Sequence, residues 1–126
     1  MGTMVENMKI IHPQEIEAWY VIPMIRKELA FAMKKEGLDQ KGIAKLLGIT
    51  PAAVSQYISK KRASNYEIED GIKFEFIDSA RRIAQDKSLI LSEFQRLMKI
   101  CWDEGVVCEI HKSKSWCPEQ CEVCYD

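Results

Sequence analysis

The residues with the most distinctive chemistry are five cysteines, all within the last 26 positions of the 126-residue chain. They are Cys101, Cys108, Cys117, Cys121 and Cys124, separated by gaps of six, eight, three and two residues. An odd number of cysteines in one cluster does not suit the disulfide framework of a secreted protein, whereas thiolates bind soft and borderline metal ions tightly. The cluster therefore predicts a metal-binding or redox site in a reducing compartment.

The best-defined part of this site is Cys121-x2-Cys124, because two cysteines at this spacing can face the same metal atom. Cys117 extends it to a C-x3-C-x2-C run, which resembles the three-cysteine cradle of the 4Fe–4S cluster in radical enzymes. The chain is far too short for the barrel of such an enzyme, so only the ligand arrangement carries over. We predict one four-ligand metal site, formed by Cys108, Cys117, Cys121 and Cys124.

Two further residues could replace one of these ligands, although for each an ordinary structural explanation competes with metal binding. Cys101 lies on an apolar helical stripe, where a small buried cysteine is common. His111 lies three residues after Cys108, which is a workable zinc spacing, although a lone histidine more often has no such role. Five thiols with little histidine favour an iron–sulfur cluster over zinc, because zinc sites usually have paired C-x2-C motifs and only one is present. A thiol–disulfide switch is the third alternative.

The segment DQKGIAKLLGITPAAVSQYISKKRA, residues 39–63, predicts two short helices joined by about three residues. Asp39 and Thr50 are good N-caps, Pro51 suits the first position of a helix, and Gly48 suits a helix end. Two short helices joined by such a turn are typical of helix-turn-helix motifs, some of which bind DNA.

The packing of these two helices follows from their small and apolar residues. Two helices can cross steeply when the first presents a small residue to the second, and Ala44 meets this need. Val54, Tyr57 and Ile58 then bury one side of the second helix, and helical geometry turns its other side outward. No residue on the outer side is a carboxylate, which suits contact with DNA. The predicted DNA-contacting residues are Gln40, Thr50, Pro51, Ala52, Ser55, Gln56, Ser59, Lys60, Lys61 and Arg62.

The spacing of glutamine, alanine, glycine and valine runs without a gap from Gln40 to Lys60 and resembles the Xre/Cro-type helix-turn-helix. Over residues 13–62, with WYVIPMIRKELA near the start and VSQYISKKR at the end, the sequence resembles small archaeal predicted transcription regulators with this motif and a cysteine-bearing C-terminus. The resemblance implies sequence-specific binding of double-stranded operator DNA by a homodimer.

The charge distribution agrees with a nucleic-acid surface in the first half of the chain. The formal net charge is −1, but residues 1–62 carry ten basic and six acidic residues, whereas residues 63–126 carry eight and thirteen. Within residues 26–62 the balance is nine basic against three acidic. A DNA-binding surface is therefore expected there.

Hydrophobic periodicity predicts an all-α fold of about five helices. The first begins at Pro13, has a kink or a fresh start at Pro23, and stops at Gly37. The second helix of the helix-turn-helix is expected to reach about Arg62, and two more helices follow over about 66–85 and 90–104. We predict three regions: a DNA-binding domain at 13–63, a dimerisation or connecting region at 66–104, and a metal-binding tail at 105–126 that is ordered only when loaded.

The composition, 47% hydrophobic and 29% charged, is that of an ordinary globular chain. No stretch approaches the roughly 18 apolar residues of a membrane span, and the N-terminus lacks a signal-peptide pattern, so we expect a cytoplasmic protein with no membrane partner. An enzyme is not expected, because the tail offers carboxylates without an evident cavity. The alternative function is a zinc-stabilised interaction adaptor in which the helix-turn-helix is only structural.

Overall fold

A computed structural model of the protein describes residues 9–59, 67–119 and 121. Six helices and no strands lie within these ranges, which confirms the all-α prediction but adds one helix to the five expected. None of the helices in the described part of the chain is long and apolar enough to cross a membrane.

The first helix, α1, runs without a break over residues 13–35 and contains one turn of π-helix. Its parts are the α-helical segments Pro13–Ile16 and Ile22–Lys35 and the π turn Glu17–Val21 between them. The interruption predicted at Pro23 takes the form of this π turn, in which the Ile22 N–H bonds to the Glu17 carbonyl five residues earlier. Proline has no N–H and its ring crowds the preceding turn, and a widened turn relieves that crowding. Trp19 lies within this turn and is 56% exposed.

Four predicted helices follow, which are α2 (Gln40–Leu47), α3 (Pro51–Ile58), α4 (Asp70–Gln85) and α5 (Ile90–Asp103). Helix α4 begins about four residues later than predicted. The sixth helix, α6 (Val106–Lys114), was not predicted. A 3-10 turn, Lys87–Leu89, joins α4 to α5. Helix α3 ends at Ile58 rather than near Arg62, and residues 60–62 lie outside the described part of the chain.

The core is one continuous hydrophobic cluster in which α1 is central. Helix α1 packs most extensively on α4 and also contacts α2, α3 and α5. Leu29 and Met33 of α1, Phe76 and Ile83 of α4 and Leu97 of α5 are almost completely buried. The predicted DNA-binding and connecting regions therefore share a core, because the faces of α1 and α4 cover each other.

A buried polar cluster also joins α4 to α5. The Glu93 carboxylate accepts hydrogen bonds from the Ser79 hydroxyl (2.7 Å), from Arg96 Nε (3.2 Å) and from Arg82 Nη1 (3.3 Å). Burial disfavours the charged carboxylate, but the bonds from Ser79, Arg96 and Arg82 outweigh it and hold the pKa of Glu93 below its ordinary value.

The sixth helix corrects the expectation that residue 105 begins a separate tail. Val106, Val107 and Ile110 of α6 are buried against α1 and α5. Gly105 lies at the junction with φ +79°, a left-handed conformation that lets α6 turn back directly after α5. These three side chains are too few to form a core alone, but they need only complete one that α1 and α5 already supply.

Candidate nucleic-acid interface and cysteine cluster

The turn between α2 and α3 is fixed by local hydrogen bonds. Asp39 Oδ1 accepts from the Gly42 N–H (2.7 Å), and Thr50 Oγ1 accepts from the Ala53 N–H (3.1 Å). Gly48 ends α2 with φ +68°, and the Ile49 N–H bonds back to the Ala44 carbonyl (3.0 Å). Both predicted caps and the predicted glycine stop are confirmed.

The buried and exposed sides of α3 separate as helical geometry predicts. Val54 and Tyr57 are buried, Ile58 is half-buried, and Ala53, which the sequence pattern did not single out, is also buried. The exposed side carries the predicted residues Pro51, Ala52, Ser55, Gln56 and Ser59. This side therefore offers an amide, hydroxyls and small apolar groups, with no acidic side chain of its own.

Gln40 has a structural contact that sequence reasoning missed. Its Nε2 donates to the Pro51 carbonyl at 2.6 Å and so ties the start of α2 to the start of α3. Gln40 and Thr50 are both exposed beside the two helix N-termini. An amide that bridges two helix N-termini also lies where a DNA phosphate would be held by backbone N–H groups.

Basic side chains lie next to this surface. Lys41 and Lys45 of α2 are exposed, although they were not among the predicted contacts. The predicted contacts Lys60, Lys61 and Arg62 lie outside the described residues. We define the exposed residues Pro51, Ala52, Ser55, Gln56 and Ser59 as the α3 face.

Comparison with known protein families agrees with this geometry. A family model described as helix-turn-helix matches residues 29–68. Residues 29–68 are a helix-turn-helix domain of the Xre/Cro type. A domain of this type indicates a DNA-binding transcription regulator. The match begins within α1 and so starts later than the predicted boundary at residue 13. No curated protein and no solved structure matches the chain.

Outside the helix-turn-helix domain, the described cysteines occupy different environments. Cys101 of α5 is completely buried, and this burial raises the pKa of its thiol to about 12. A thiol in this environment is a core side chain rather than an available thiolate. Cys108 of α6 is also buried, Cys117 and Cys121 are half-buried, and Cys124 lies outside the described residues.

Cys117 lies beside His111, with 3.4 Å between Cys117 Sγ and His111 Nδ1. Burial raises the pKa of the Cys117 thiol, and the nearby thiols of Cys121 and Cys108 raise it further, while Lys112 opposes the shift. No three histidine, cysteine, aspartate or glutamate side chains among the described residues are close enough together to hold a metal ion. The structure thus shows a Cys117–His111 pair with two further thiols near it.

The other ring nitrogen of His111 contacts the start of the chain. His111 Nε2 lies 2.6 Å from the Ile11 carbonyl oxygen. The same stretch is held by the Trp116 N–H, which bonds to the Lys9 carbonyl (2.9 Å), and by Ser115 Oγ, which accepts from the Ile11 N–H (2.9 Å). The segment after α6 is therefore hydrogen-bonded to the residues that lead into α1.

Proposed function

We propose that the protein is a sequence-specific transcription regulator that binds double-stranded DNA as a homodimer and carries a cysteine-ligated metal centre. The observation that carries the DNA-binding part is the α3 face, which is exposed, free of carboxylates and flanked by capped helix N-termini. A helix with these properties fits the major groove of DNA.

On this face, base recognition is assigned to Gln56, Ser55 and Ala52. The Gln56 amide can donate to and accept from one adenine, the Ser55 hydroxyl can do either, and the Ala52 methyl can contact a thymine methyl. Thr50 and Gln40, with the basic residues Lys60, Lys61 and Arg62, are assigned to phosphate. Phosphate contacts set the position on DNA, and base contacts set the sequence preference.

The test of DNA recognition begins with selection of bound sequences from a random-sequence duplex library. The selected duplex and a scrambled duplex of equal length are then titrated with protein at several salt concentrations. Preferential binding of the selected duplex, with affinity that falls steeply as salt rises, is expected. Equal affinity for both duplexes would contradict sequence-specific regulation.

The homodimer is proposed because one helix-turn-helix reads only a few base pairs, which is too little to specify a site in a genome. The candidate contact regions are α1 and the helices within 66–104, where Trp19, Phe74 and Leu91 are large, exposed apolar side chains. Light scattering at micromolar concentration should give twice the chain mass. A monomeric mass, from protein that still binds the selected duplex in preference to the scrambled one, would contradict the dimer.

Two observations support the metal centre. The thiols of Cys108 and Cys121 are near enough to Cys117 to raise its pKa, and the sequence contains the C-x3-C-x2-C run. An iron–sulfur cluster and zinc are the two candidates that thiol-rich sites favour. Metal content of protein prepared without oxygen, together with its visible absorption spectrum, distinguishes them, since a cluster is coloured and zinc is not. Protein with neither metal and with all five thiols free would contradict this part of the proposal.

A further inference from the structure

The imidazole of His111 has a neighbour at each ring nitrogen, and those neighbours select the tautomer of the neutral ring. A backbone carbonyl can only accept a hydrogen bond, so the 2.6 Å contact with the Ile11 oxygen requires a proton on His111 Nε2. In the neutral ring Nδ1 then has no proton and presents its lone pair toward Cys117 Sγ, 3.4 Å away. The ring is only 9% exposed, so these two contacts are made inside the protein.

This arrangement is the one that metal-ligating histidines use. Such a histidine binds the metal through one ring nitrogen and donates the other N–H to a carboxylate or a backbone carbonyl, which sets its tautomer and orientation. At a tetrahedral zinc ion, Zn–N of about 2.0–2.1 Å and Zn–S of about 2.3 Å place a nitrogen and a sulfur ligand about 3.5 Å apart. The His111–Cys117 separation of 3.4 Å matches that spacing.

Two more thiols are available to complete such a site. Cys108 precedes His111 by three residues on α6, so the two side chains lie on the same side of the helix. Cys121 follows Cys117 by four residues, and both thiols act on Cys117 electrostatically. Because no three donors among the described residues are yet close enough for a metal ion, Cys108 and Cys121 would move toward the His111–Cys117 pair when the ion binds.

We propose that His111 Nδ1, Cys117, Cys108 and Cys121 bind one zinc ion, with the Ile11 carbonyl as the outer hydrogen-bond partner of His111. The inference rests on the metal centre of the proposed function and names its metal and its nitrogen ligand. One imidazole with three thiolates is a common zinc ligand set, whereas an iron–sulfur cluster takes four thiolates in its usual form. Zinc binding converts the thiols to thiolates and releases their protons.

The site also links metal occupancy to the helix that enters the DNA-binding domain. His111 holds the Ile11 carbonyl directly before α1, and α1 continues to residue 35, within the matched domain that begins at residue 29. Zinc bound at Nδ1 makes Nε2–H a stronger donor and therefore tightens this bond. Loss of zinc loosens the start of α1, which changes how the helix-turn-helix domain is held.

The experiment uses the full chain, stripped of metal and kept reduced, and titrated with zinc and with cobalt(II) as a coloured substitute. We expect one ion per chain, and X-ray absorption at the zinc edge should give three sulfur ligands and one nitrogen ligand. His111→Ala should lower zinc affinity by at least 10- to 100-fold, on the order of the loss seen when only an outer partner is removed. His12→Asn is the matched control, because His12 is the other histidine of the chain and is exposed, and asparagine can also serve as the N-cap of α1, so zinc affinity should be unchanged.

The possible results separate this inference from the proposed function. A zinc site with four sulfur ligands, or an iron–sulfur cluster unaffected by His111→Ala, overturns the nitrogen ligand but leaves the proposed metal centre. Protein that binds no zinc in this titration, and that contains no iron when prepared without oxygen, overturns both. The ligand count is measured on the unmodified protein, so the inference remains testable even if His111→Ala fails to fold. DNA recognition is tested separately on the selected duplex, so neither result decides that part of the proposed function.

Discussion

On α3, the side chain best placed to read a base is Gln56. It is exposed on the same side as Ser55 and Ala52, and its neighbours Val54 and Tyr57 anchor the helix in the core. The buried neighbours fix the backbone of α3 beneath Gln56, and removal of its amide would leave a base edge unpaired. On the proposed function, sequence preference therefore depends on single residues of the α3 face.

Gln56→Ala should weaken binding to the selected duplex by about 1–3 kcal/mol and leave binding to a scrambled duplex nearly unchanged. The reason is that the substitution removes base contacts and keeps phosphate contacts. Fluorescence anisotropy titrations at one salt concentration measure both affinities. Gln95→Ala, at an exposed glutamine of α5, is the matched control and should bind like the unmodified protein. Unchanged affinity of Gln56→Ala for the selected duplex would show that the reading face is assigned wrongly.

Among the elements, two features carry testable stability, the end of α2 and the contact between α4 and α5. The α2 end relies on a left-handed backbone at Gly48, and the α4–α5 contact includes the buried Glu93 carboxylate. Both features can be tested through stability, independently of DNA.

Gly48→Ala should lower the free energy of unfolding by about 1–2 kcal/mol, because φ +68° is strained for any residue with a Cβ. The added methyl itself meets no atom within 4 Å, so strain is the whole effect. Gly71→Ala is the matched control: its Cβ also meets nothing, and Gly71 lies in α4 without a positive φ. Gly71→Ala should be neutral or slightly stabilising. Urea unfolding of the two variants checks this, and an equal loss in both would contradict the argument.

Glu93→Gln should lower the free energy of unfolding by about 1 kcal/mol at pH 7, a modest value because Arg82 and Arg96 are partly exposed and screened by water. The pKa of Glu93 is lowered in the folded state, so its contribution is present above its ordinary value of 4.5 and is lost as the pH falls below it. The difference between the unmodified protein and Glu93→Gln should therefore shrink at acidic pH. Urea unfolding from pH 7 to pH 3 measures it, with the exposed Glu104→Gln as control. A difference independent of pH would show that the Glu93 charge is not responsible.

Across the described part of the molecule, residues 9–11 meet residues 111–116 beside the helical core. Residues 9–11 bond to His111, Ser115 and the Trp116 N–H, and α6 packs on α1 and α5. Cys108 and His111 of α6 therefore lie on the same core that holds the helix-turn-helix domain.

Compared with metal-free full-length protein, a chain ending at residue 104 should be strongly destabilised, whereas one ending at residue 116 should melt at nearly the same temperature. The shorter chain loses the buried side chains of Val106, Val107 and Ile110, each of which contributes about 1.5–3 kcal/mol when fully buried. Thermal unfolding followed by circular dichroism measures both. If the 104-residue chain melts at the same temperature as the full-length protein, α6 is not part of the core.

Much of the helix-turn-helix could be predicted because its signals are local. The caps at Asp39 and Thr50 act over three residues, Gly48 supplies its own backbone freedom, and helical periodicity alone separates Val54 from Gln56. The π turn before Pro23 was predicted only as an interruption, because the sequence shows that the regular bonding pattern must change but not which alternative the packing selects.

The amino-acid sequence by itself determined the helical class, the turn between α2 and α3, and the residues that α3 exposes. Tertiary structure alone decided that α6 belongs to the core, that Gln40 bonds to Pro51, and that His111 lies between Cys117 and the Ile11 carbonyl. The physical reason is the distance along the chain. A cap or an amphipathic face is set by residues within one or two turns, whereas His111 and Ile11 are 100 positions apart and meet only because α1, α5 and α6 bury one another's apolar sides.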